Sequence, residues 1–422
     1  MTAAAMELGS AAGAVDRLRP GQMVYVPGVS GESLPFYEAL RNDADHARGI
    51  TFVGVHFPGI NRSDYLALHP SARQRAYFMS PSVRAAMPSG RVDLMPLDYP
   101  GIVRDLEEDL PLDVALAQVT PPDEKGRCSL GVSYDFLPSV WHKARTRIAH
   151  VNPLLPRTRG SFGVRLEECS ARFECPAAVP TLAGEAADET TRRHAAHVAG
   201  LVRDGDTLQF GVGRLQGAIL EALGGHRRLR VYSGMVSSPV ARLVDEGVIS
   251  GEGAIEAGVA LGDASFYDRV GRDATFYFRP VRETHDVRRI AAIPNFCAIN
   301  SALAVDLWGQ ANAESIDGRM VAGAGGLPAF STGARLAANG RSVISLSATA
   351  EGGRASRIVA KFPAGAITTV PRHETDCVVT EYGTAELRGL SLQARARALI
   401  GIAAPQFREQ LASQWLEMEK AL

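Results

Sequence analysis

Short apolar runs that end in glycine or proline alternate with amphipathic stretches along most of the chain. In the first half, the runs 22–28, 50–57, 113–123 and 147–153 predict strands, and the segment 31–43 predicts a helix. Continuous apolar runs that alternate with helical segments are typical of parallel strands covered on both faces. The pattern therefore predicts an α/β fold built on mostly parallel sheets.

The alternation stops after residue 175 and then starts again. Two prolines and a run of small and acidic residues precede a predicted helix, for which Asp188 or Thr190 is the candidate N-cap. The elements predicted beyond it are strands at 206–213, 228–234, 367–370 and 376–383 and helices at 214–223, 238–249 and 391–403. We therefore predict two similar α/β domains, 1–185 and 186–422, with ligands beyond the C-terminal ends of their strands.

Composition and charge limit the partners and the location. The 422 residues carry a formal net charge of −1, so no overall field attracts nucleic acid or an anionic membrane. The five cysteines show no CxxC spacing, which favours a reduced cytoplasmic protein over a disulfide framework or a zinc site. Asp16 and Arg17 interrupt the N-terminal segment and no long apolar run occurs, so we expect neither a signal peptide nor a membrane span.

Two glycine segments are candidate binding loops. In FGVGRLQGAI (210–219), Gly211 and Gly213 let a ligand approach the backbone, and the following helix presents its first amides to a phosphate or an oxyanion. The third glycine of a dinucleotide fingerprint is missing, so a simple strand–helix turn remains the alternative. The second segment, GAGG (323–326), either wraps a ligand or is only a mobile loop.

The C-terminal segment 356–411 carries a family resemblance. VVTEYGTAELRG followed by ARALIGIAAPQFREQL strongly resembles the C-terminal signature of the acetyl-CoA hydrolase/transferase family, which includes acetate and 4-hydroxybutyrate CoA-transferases. Similar segments occur over nearly the whole chain, including 119–136 and 299–315. The resemblance implies two similar α/β domains with the active site between them, and a homo-oligomer, often a dimer. It also implies an acyl-CoA and a small carboxylate as substrates, with no tightly bound cofactor.

The family mechanism depends on one glutamate that this chain lacks. In the family, that glutamate attacks the acyl-CoA carbonyl and then carries CoA as a glutamyl thioester. It stands in a His-Ser-Glu-Met motif, where this chain has Tyr232-Ser233-Gly234-Met235. Because glycine offers no carboxylate, the glutamyl-CoA intermediate is not expected to form at Gly234. Other departures from the family pattern are Gln216, Ala329 and Ala404.

The family's CoA contacts, carried over position by position, give a candidate binding set. It comprises the glycine turn, one residue of the NSAL segment and one of the GAGG loop, namely Gly211, Val212, Gly213, Arg214, Leu215, Leu303 and Gly326. Arg214 is bulkier than the residue usual in the family, which predicts a narrower pocket or a more anionic ligand.

Another group must supply the chemistry if the thioester is cleaved. Glu32, which follows the first predicted strand, is a candidate general base that activates water. The alternative interpretation is an acid in the first turn of a helix, stabilised by the helix dipole. No base lies near Ser233, Ser237 or Ser238 in the sequence, so none of them is favoured as a nucleophile. Cys297 stands in an apolar run that is typical of an inert core cysteine.

Three further polar residues have both a functional and a structural interpretation. His150 and Asn152 end a predicted strand, where they either line the cleft or are satisfied structural groups. Glu314 is either a group near the CoA segment or a surface acid.

Two pairs of charged or titratable residues are interpreted as structural. His194 and His197 have helical spacing but no third ligand nearby, so we do not expect a metal site. Arg395 and Arg397 lie on different faces of a predicted helix, where both are expected to be solvated.

Three functions therefore remain for the chain. The favoured one is an enzyme that transfers CoA between carboxylates or hydrolyses an acyl-CoA, with a relocated acid in place of the residue at 234. The second is an enzyme in which water or a carbon nucleophile attacks the thioester. The third is an acyl-CoA binder without catalysis.

Overall fold

Packing divides the chain into two compact units. The structure is a computed structural model that describes residues 9–57 and 59–421. Unit 1 contains Gly101–Leu182, Gly258–Arg282 and the described residues up to Pro96. Unit 2 contains Leu97–Pro100, Ala183–Ala257 and the described residues from Glu283 onward. Apart from Leu97–Pro100, the chain therefore enters unit 2 at Ala183, returns to unit 1 for residues 258–282, and then completes unit 2.

The first part of the chain, up to the proline-containing segment after residue 175, alternates short strands and helices. Its strands are β1 (Met23–Tyr25), β2 (Thr51–Val53), β3 (Arg73–Ala76), β4 (Val92–Leu94), β5 (Val114–Val119), β6 (Arg127–Cys128), β7 (Thr146–Val151), β8 (Val164–Arg165) and β9 (Ala171–Glu174). Its helices are α1 (Ala11–Val15), α2 (Leu34–Asn42), α3 (Pro81–Ala86), α4 (Tyr99–Arg104) and α5 (Leu137–Val140).

The rest of the chain continues this alternation. Its longer strands are β10 (Thr207–Phe210), β11 (Arg230–Ser237), β12 (Ile255–Leu261), β13 (Phe276–Phe278), β14 (Phe296–Ser301), β19 (Arg341–Ser345), β23 (Cys377–Thr380) and β24 (Gly383–Glu386). The others are β15 (Ala304–Asp306), β16 (Ala311–Asn312), β17 (Ser315–Ile316), β18 (Arg319–Met320), β20 (Thr349–Ala350), β21 (Ala355–Ser356) and β22 (Ile358–Val359). The helices are α6 (Glu189–Ala199), α7 (Arg214–Ala222), α8 (Val240–Asp245), α9 (Ala264–Arg272), α10 (Val281–Thr284), α11 (Val287–Ala291), α12 (Leu327–Leu336), α13 (Leu392–Ile402) and α14 (Pro405–Glu419).

Unit 1 is built on a seven-stranded sheet with the order β4-β3-β2-β1-β5-β7-β9. Every neighbouring pair in this sheet is parallel. The first strand in sequence, β1, lies inside the sheet with β2 on one side and β5 on the other. In parallel α/β sheets such a reversal of strand order opens a crevice at the carboxyl ends of the strands. Glu32, which follows β1, lies at this point of the sheet.

The second sheet has the order β13-β12-β11-β10-β14-β19-β23-β24. Strand β10 pairs in parallel with β11 and β14, and the parallel pairing continues through β19 to β23. Strand β24 is paired antiparallel with β23. The reversal of strand order therefore lies between β10 and β14, so the ligand crevice is expected beyond Phe210 and Ser301.

The strand order is the same in the two sheets. In each, the first strand lies inside, the next three extend to one side, and the later strands extend to the other. This confirms the predicted α/β fold with mostly parallel sheets in two domains. It also agrees with the predicted similarity of the two halves.

Most predicted elements are present, with two corrections. The strand predicted to end at 234 runs on to Ser237, so Gly234 lies within β11 rather than at its end. Val236 is fully buried, and this apolar position keeps the small-residue segment in the sheet. The strand predicted at 367–370 does not form, because only Val370 makes an isolated bridge, to Ala311.

Each unit has its own apolar core. In unit 1, aromatic and aliphatic side chains from α2, β2, β5 and β9 pack together, including Phe36, Phe52, Leu116 and Phe173. In unit 2, one cluster packs α12 against β14, and a second joins α13 and α14 to β19 and β23. Among the described residues, no helix combines the length and the apolar character that crossing a membrane requires.

Candidate active site

The glycine turn after β10 has a backbone conformation that requires glycine. Gly213 has φ +123° and ψ 176°, a conformation that L side chains rarely adopt, and it precedes the first residue of α7. The first amides of α7 have no partners within the helix, so they are available to an anionic ligand. Arg214 stands half exposed at this end and lies 3.7 Å from Asp188, a surface pair that contributes little to stability.

Polar side chains lie near the C-terminal ends of the paired strands β10 and β14. The amides of Gln209 and Asn300 exchange two hydrogen bonds of 3.1 and 2.8 Å across these strands. Gln216 of α7 donates to the Ser301 hydroxyl at 3.2 Å, and its buried Oε1 has no hydrogen-bond partner among the described residues. The sequence analysis noted Gln216 only as a departure from the family pattern and did not identify Gln209, Asn300 or Ser301. The signal that could have found these three is a polar residue within an apolar strand.

Gly234 has no room for a side chain. A Cβ built on it would lie 2.7 Å from Cε1 and 2.9 Å from Nε2 of His285, closer than nonbonded atoms approach. A Cβ on Gly326 would lie even closer, 2.4 Å from Nε2 and 2.6 Å from Cδ2 of the same ring. The structure therefore brings Gly234 and Gly326 together around one imidazole, and the space beside both glycines belongs to His285.

His285 is held in place on several sides. Its Nδ1 lies 2.9 Å from the Thr284 hydroxyl oxygen, and the rings of Tyr99 and Phe330 each lie 4.6 Å from the imidazole centroid. The residue is only 3% exposed. Because Nδ1 faces Thr284, Nε2 is the nitrogen that faces the two glycines. The sequence analysis did not identify His285. The only signal for it is the local sequence ETHD, in which a titratable residue stands beside a hydroxyl and two acids.

The surroundings of this histidine are largely apolar. Phe330 stacks on Phe296 with 6.3 Å between ring centroids, and the neighbouring Ala329 is buried. The Tyr232 hydroxyl donates to the carbonyl oxygen of Glu283 at 2.6 Å, which ties β11 to the segment that carries His285. Leu303, the remaining predicted CoA contact, is partly buried, and its amide donates to the Asn312 carbonyl.

Glu32 is buried in unit 1 with its carboxylate clamped by backbone. Its oxygens accept hydrogen bonds from the amides of Arg62, at 3.2 Å, and Ser63, at 3.0 Å. Its carbonyl accepts from the side-chain amide of Gln118 at 3.1 Å. Glu32 precedes Ser33, the N-cap of α2, so the alternative of an acid in the first helical turn is wrong.

A polar cavity of about 400 Å³ lies beside this clamp. Its lining includes His56, Arg62, Ser63 and Tyr77. His56 Nε2 and the Ser63 hydroxyl are buried without a hydrogen-bond partner among the described residues. Burial lowers the pKa of His56, and the nearby Glu32 carboxylate acts in the opposite direction. Neither His56 nor the cavity was identified from the sequence.

His150 and Asn152 have complete hydrogen-bond sets. His150 Nε2 donates to the Cys175 carbonyl at 2.7 Å, so its Nδ1 accepts from the Ser33 hydroxyl at 2.9 Å. Burial lowers its pKa. Asn152 donates to the Gln118 side chain and to the carbonyl of Ala177. These contacts favour the structural interpretation of both residues.

Two candidate nucleophiles are occupied or inert. The Ser233 hydroxyl lies within hydrogen-bond distance of the carbonyls of Phe210 and Met235, at 3.0 and 2.8 Å, and donates its proton to one of them. Burial raises the pKa of the Cys297 thiol to about 11, so the reactive thiolate is scarce at neutral pH.

Glu314, for which a surface position was one of two interpretations, and Arg395, which was expected to be solvated, are both buried. Glu314 is 8% exposed and accepts a hydrogen bond from the Thr369 hydroxyl, so the surface-acid interpretation is wrong. Burial raises the pKa of Glu314. Arg395 is also buried, because its guanidinium donates to carbonyl oxygens at the ends of nearby loops, whereas Arg397 is exposed as expected.

One of the paired histidines of α6 has a structural role. His194 is buried, and its Nε2 lies 3.2 Å from the Val379 carbonyl and 3.0 Å from the Ser345 hydroxyl. Within 9–57 and 59–421, no group of three or more His, Cys, Asp or Glu side chains is arranged to hold a metal ion.

Comparisons with known proteins place the chain among CoA-processing enzymes. The family model described as the acetyl-CoA hydrolase/transferase N-terminal domain matches residues 6–168, and the C-terminal domain model matches 262–415. The chain is 33% identical to the 4-hydroxybutyrate coenzyme A transferase of Clostridium kluyveri. The alignment spans 413 residues and covers 95% of each protein. It is 26% identical to an acetyl-CoA hydrolase of Eremothecium gossypii, in an alignment of 360 residues that covers 72% of this chain and 65% of the hydrolase.

A solved structure agrees with these relatives. RipA from Yersinia pestis superposes with a TM-score of 0.90 at 26% identity, over 98% of both chains. The family models and the CoA-transferase relative confirm the family resemblance seen in the sequence. The chain belongs to the acetyl-CoA hydrolase/transferase family and is an enzyme of this kind.

Proposed function

We propose that this enzyme binds an acyl-CoA thioester and cleaves it without a glutamyl-CoA intermediate at position 234. The observation that carries the proposal is the contact between Gly234 and His285, where a Cβ would lie 2.7 Å from the imidazole. The residue at 234 brings no carboxylate, and its surroundings leave no space for one. The covalent carrier of CoA expected from the family therefore has no place here.

The proposed CoA site uses the glycine turn and the GAGG loop. Gly211 to Leu215 present backbone amides at the start of α7, with Arg214 exposed beside them for the phosphates of CoA. Leu303 and Gly326 complete the binding set. Coenzyme A enters as part of the substrate in this proposal, and no other tightly bound cofactor is required.

Loss of the carrier favours hydrolysis over transfer. Transfer through a covalent intermediate needs an enzyme carboxylate to hold CoA between the two half-reactions. Hydrolysis needs only a bound water, a base and donors for the oxyanion. Relatives of this chain include both CoA-transferases and acetyl-CoA hydrolases, so both reactions are compatible with the fold. Transfer to a small carboxylate remains the second candidate, with Glu32 as its relocated acid.

The remaining features of the proposal concern the state of the protein. A near-neutral net charge and cysteines without disulfide spacing support a cytoplasmic enzyme. Membership of this family supports a homo-oligomer, for which a dimer is the simplest form.

A panel of acyl-CoA thioesters, each with and without acetate, tests this function. Free thiol and product masses are followed together, so that hydrolysis and transfer are separated in one experiment. We expect thiol release that does not require acetate, with free acid as the product. Absence of both turnover and binding for all thioesters would contradict the proposal, and a strict requirement for acetate would favour transfer.

A further inference from the structure

We propose that unit 2 contains a second ligand site, which binds a phosphate group at the edge of the sheet opposite the glycine turn. The site is a pocket of about 430 Å³ between the segment before β23 and the start of α13. This volume falls in the range of about 300–1,000 Å³ that small-molecule sites occupy. The inference goes beyond the proposed function, which places the acyl-CoA at the other edge of the sheet.

The strand that follows the pocket fixes its place in the fold. Thr375 and Asp376 line the pocket and directly precede β23. Strand β23 runs parallel to β19, and the parallel pairing continues through β14 to β10. The pocket therefore lies at the edge where these strands begin, whereas the glycine turn follows the end of β10. A ligand in this pocket and a ligand at the glycine turn are thus on opposite edges of one sheet.

The lining of the pocket is positively charged. It contains the guanidinium groups of Arg372, Arg388 and Arg395, the imidazole of His373 and one carboxylate, that of Asp376. Asp376 is already paired, because Arg388 donates to its two oxygens at 2.9 and 2.6 Å. Two guanidinium charges, those of Arg372 and Arg395, therefore have no carboxylate partner in the lining that the structure describes.

Arg395 is the more unusual of these two cations, because it is buried. It is 8% exposed, and among the described residues its guanidinium makes no ion pair and donates to carbonyl oxygens at 2.7–3.3 Å. Burial lowers its pKa, although the group stays charged at neutral pH. A buried cation without a carboxylate partner is stabilised by an anion that enters the pocket beside it.

The start of α13 adds neutral donors to the pocket. Ser391 is the N-cap of this 11-residue helix, and the amides of Leu392 and Gln393 have no partners within the helix. The helix dipole favours an anion at this end. The hydroxyl of Thr375, a residue only 1% exposed, has no hydrogen-bond partner among the described residues. This hydroxyl is an independent sign of a polar ligand, because buried polar groups are almost always satisfied.

A phosphate group matches this set of donors better than a carboxylate does. Its oxygens accept several hydrogen bonds at once, and guanidinium groups bind them in a fork. A phosphate ester carries a charge of about −1.5 to −2 at neutral pH, which balances the two unpaired guanidinium groups.

Calorimetric titration with two probes, inorganic phosphate and glycerol 3-phosphate, tests the site. We expect both to bind the wild-type protein with a Kd below about 1 mM. Tighter binding of glycerol 3-phosphate would support a phosphorylated molecule as the ligand, and tighter binding of inorganic phosphate would support the free ion. No binding of either probe at about 10 mM would overturn the proposal.

Arg372→Gln is the most direct variant, because Arg372 is exposed and its replacement should not disturb the fold. We expect its Kd for both probes to rise about tenfold, the effect of a lost charge-assisted contact. The matched control is Arg397→Gln, which removes the same charge from an exposed position of α13 outside the pocket. Its Kd should stay within about twofold of the wild-type value, because exposed charges are screened by salt. An equal change in the two variants would indicate a general electrostatic effect and overturn the proposal.

Thr375→Val gives a second test inside the pocket, since it removes the hydroxyl and keeps the shape of the side chain. We expect the Kd to rise about fivefold, while thermal stability without a ligand is retained. A merely structural role of Thr375 predicts a change in stability with no change in Kd. Wild-type affinity in both Arg372→Gln and Thr375→Val would show that phosphate binds elsewhere.

Coenzyme A separates this inference from the proposed function. Because the two sites lie on opposite edges of the sheet, saturating CoA should leave the affinity for glycerol 3-phosphate unchanged, and Arg372→Gln should cleave an acyl-CoA at the wild-type rate. Displacement of the probe by CoA would place both at the glycine turn and overturn the inference, while the proposed function would stand. Failure of every thioester to bind or react would overturn only the proposed function.

Discussion

At the scale of single residues, the identities of positions 234 and 285 depend on each other. The absence of a glutamate can be recognised from the sequence, because the serine and methionine around it match the family motif. The histidine that fills the space cannot be found this way, since no local pattern relates a residue of β11 to one after α10. Only the fold brings the imidazole to 2.7 Å from the Cβ position of Gly234.

This dependence predicts the outcome of restoring the carboxylate. Gly234→Glu alone should lower the melting temperature and gain no CoA transfer to acetate, because its Cβ collides with the buried His285 ring. The double variant Gly234→Glu with His285→Gly provides the space, and we expect it to gain transfer activity. Product masses with labelled acetate measure the gain. Efficient transfer by the single variant at unchanged stability would contradict the steric argument.

A second residue, Asp135, has an unusual buried carboxyl. It is 5% exposed, and its Oδ2 has no hydrogen-bond partner among the described residues. Burial raises its pKa from 3.8 to about 7. The folded protein therefore binds a proton that the unfolded chain has released, so stability falls as the pH rises between these two values.

This shift predicts a pH-dependent effect of Asp135→Asn. The amide cannot ionise, so its stability does not fall with pH in this way. The free energy of unfolding of the variant, relative to that of wild type, should therefore increase by about 2–3 kcal/mol when the pH is raised from 5 to 8. Urea unfolding at both pH values measures the difference. Asp268→Asn, a change at an exposed residue of the same unit, is the control. An equal effect of Asp135→Asn at both pH values would show that the carboxyl does not titrate in this range.

At the scale of elements, α13 illustrates what sequence patterns can and cannot give. Ser391 caps this helix as its position suggests, with its hydroxyl accepting from the Ala394 amide. Arg395 was expected to be solvated, but its guanidinium donates to four carbonyls, those of Leu387, Trp308, Arg372 and Thr375. Periodicity identifies the helix, but loop carbonyls from distant parts of the chain decide which of its polar residues are buried.

The role of Arg395 leads to a stability prediction. Arg395→Ala removes the guanidinium that donates to the carbonyls of Trp308, Arg372 and Thr375, and should destabilise unit 2 by about 2–4 kcal/mol. The control is Arg397→Ala, two residues along the same helix and exposed, for which we expect a change within about 0.5 kcal/mol. Denaturant unfolding of the three proteins gives the comparison. Equal effects of the two substitutions would mean that the carbonyl contacts contribute nothing measurable.

The same contrast applies to the candidate site. The glycine turn was predicted because strand, glycines and helix are consecutive in sequence. By contrast, the amide pair of Gln209 and Asn300 depends on strand order, and the clamp on Glu32 depends on a loop 30 residues away. Residues that act through local geometry can thus be identified from the sequence, whereas residues that act through long-range packing require the fold.

At the scale of the whole molecule, the two sheets share one strand order and carry their polar groups at the same topological point. In unit 1 this point holds Glu32, and in the second sheet it holds Gln209 and Asn300. Parallel sheets bind ligands where the strand order reverses. We therefore expect the binding of an acyl-CoA to stabilise the folded protein as a whole.

Thermal unfolding measures this effect directly. At a thioester concentration of about 100 times Kd, binding adds about 2.7 kcal/mol, which should raise the melting temperature of a chain of this length by about 3 °C. CoA without an acyl group should give a smaller shift, and an uncharged thioester without the nucleotide should give almost none. No shift with any CoA species would contradict binding to the folded state.

The return of residues 258–282 to unit 1 has a consequence for biosynthesis. A ribosome that has finished residue 182 has not yet supplied all the segments of this unit, and it must translate roughly 100 further residues, which takes about 5–20 s. During that interval the nascent chain has an incomplete first unit while the second has begun to emerge. Cotranslational folding therefore cannot follow simple N-to-C order in this protein, and slowed translation beyond residue 182 would lengthen its exposure to chaperones and proteases.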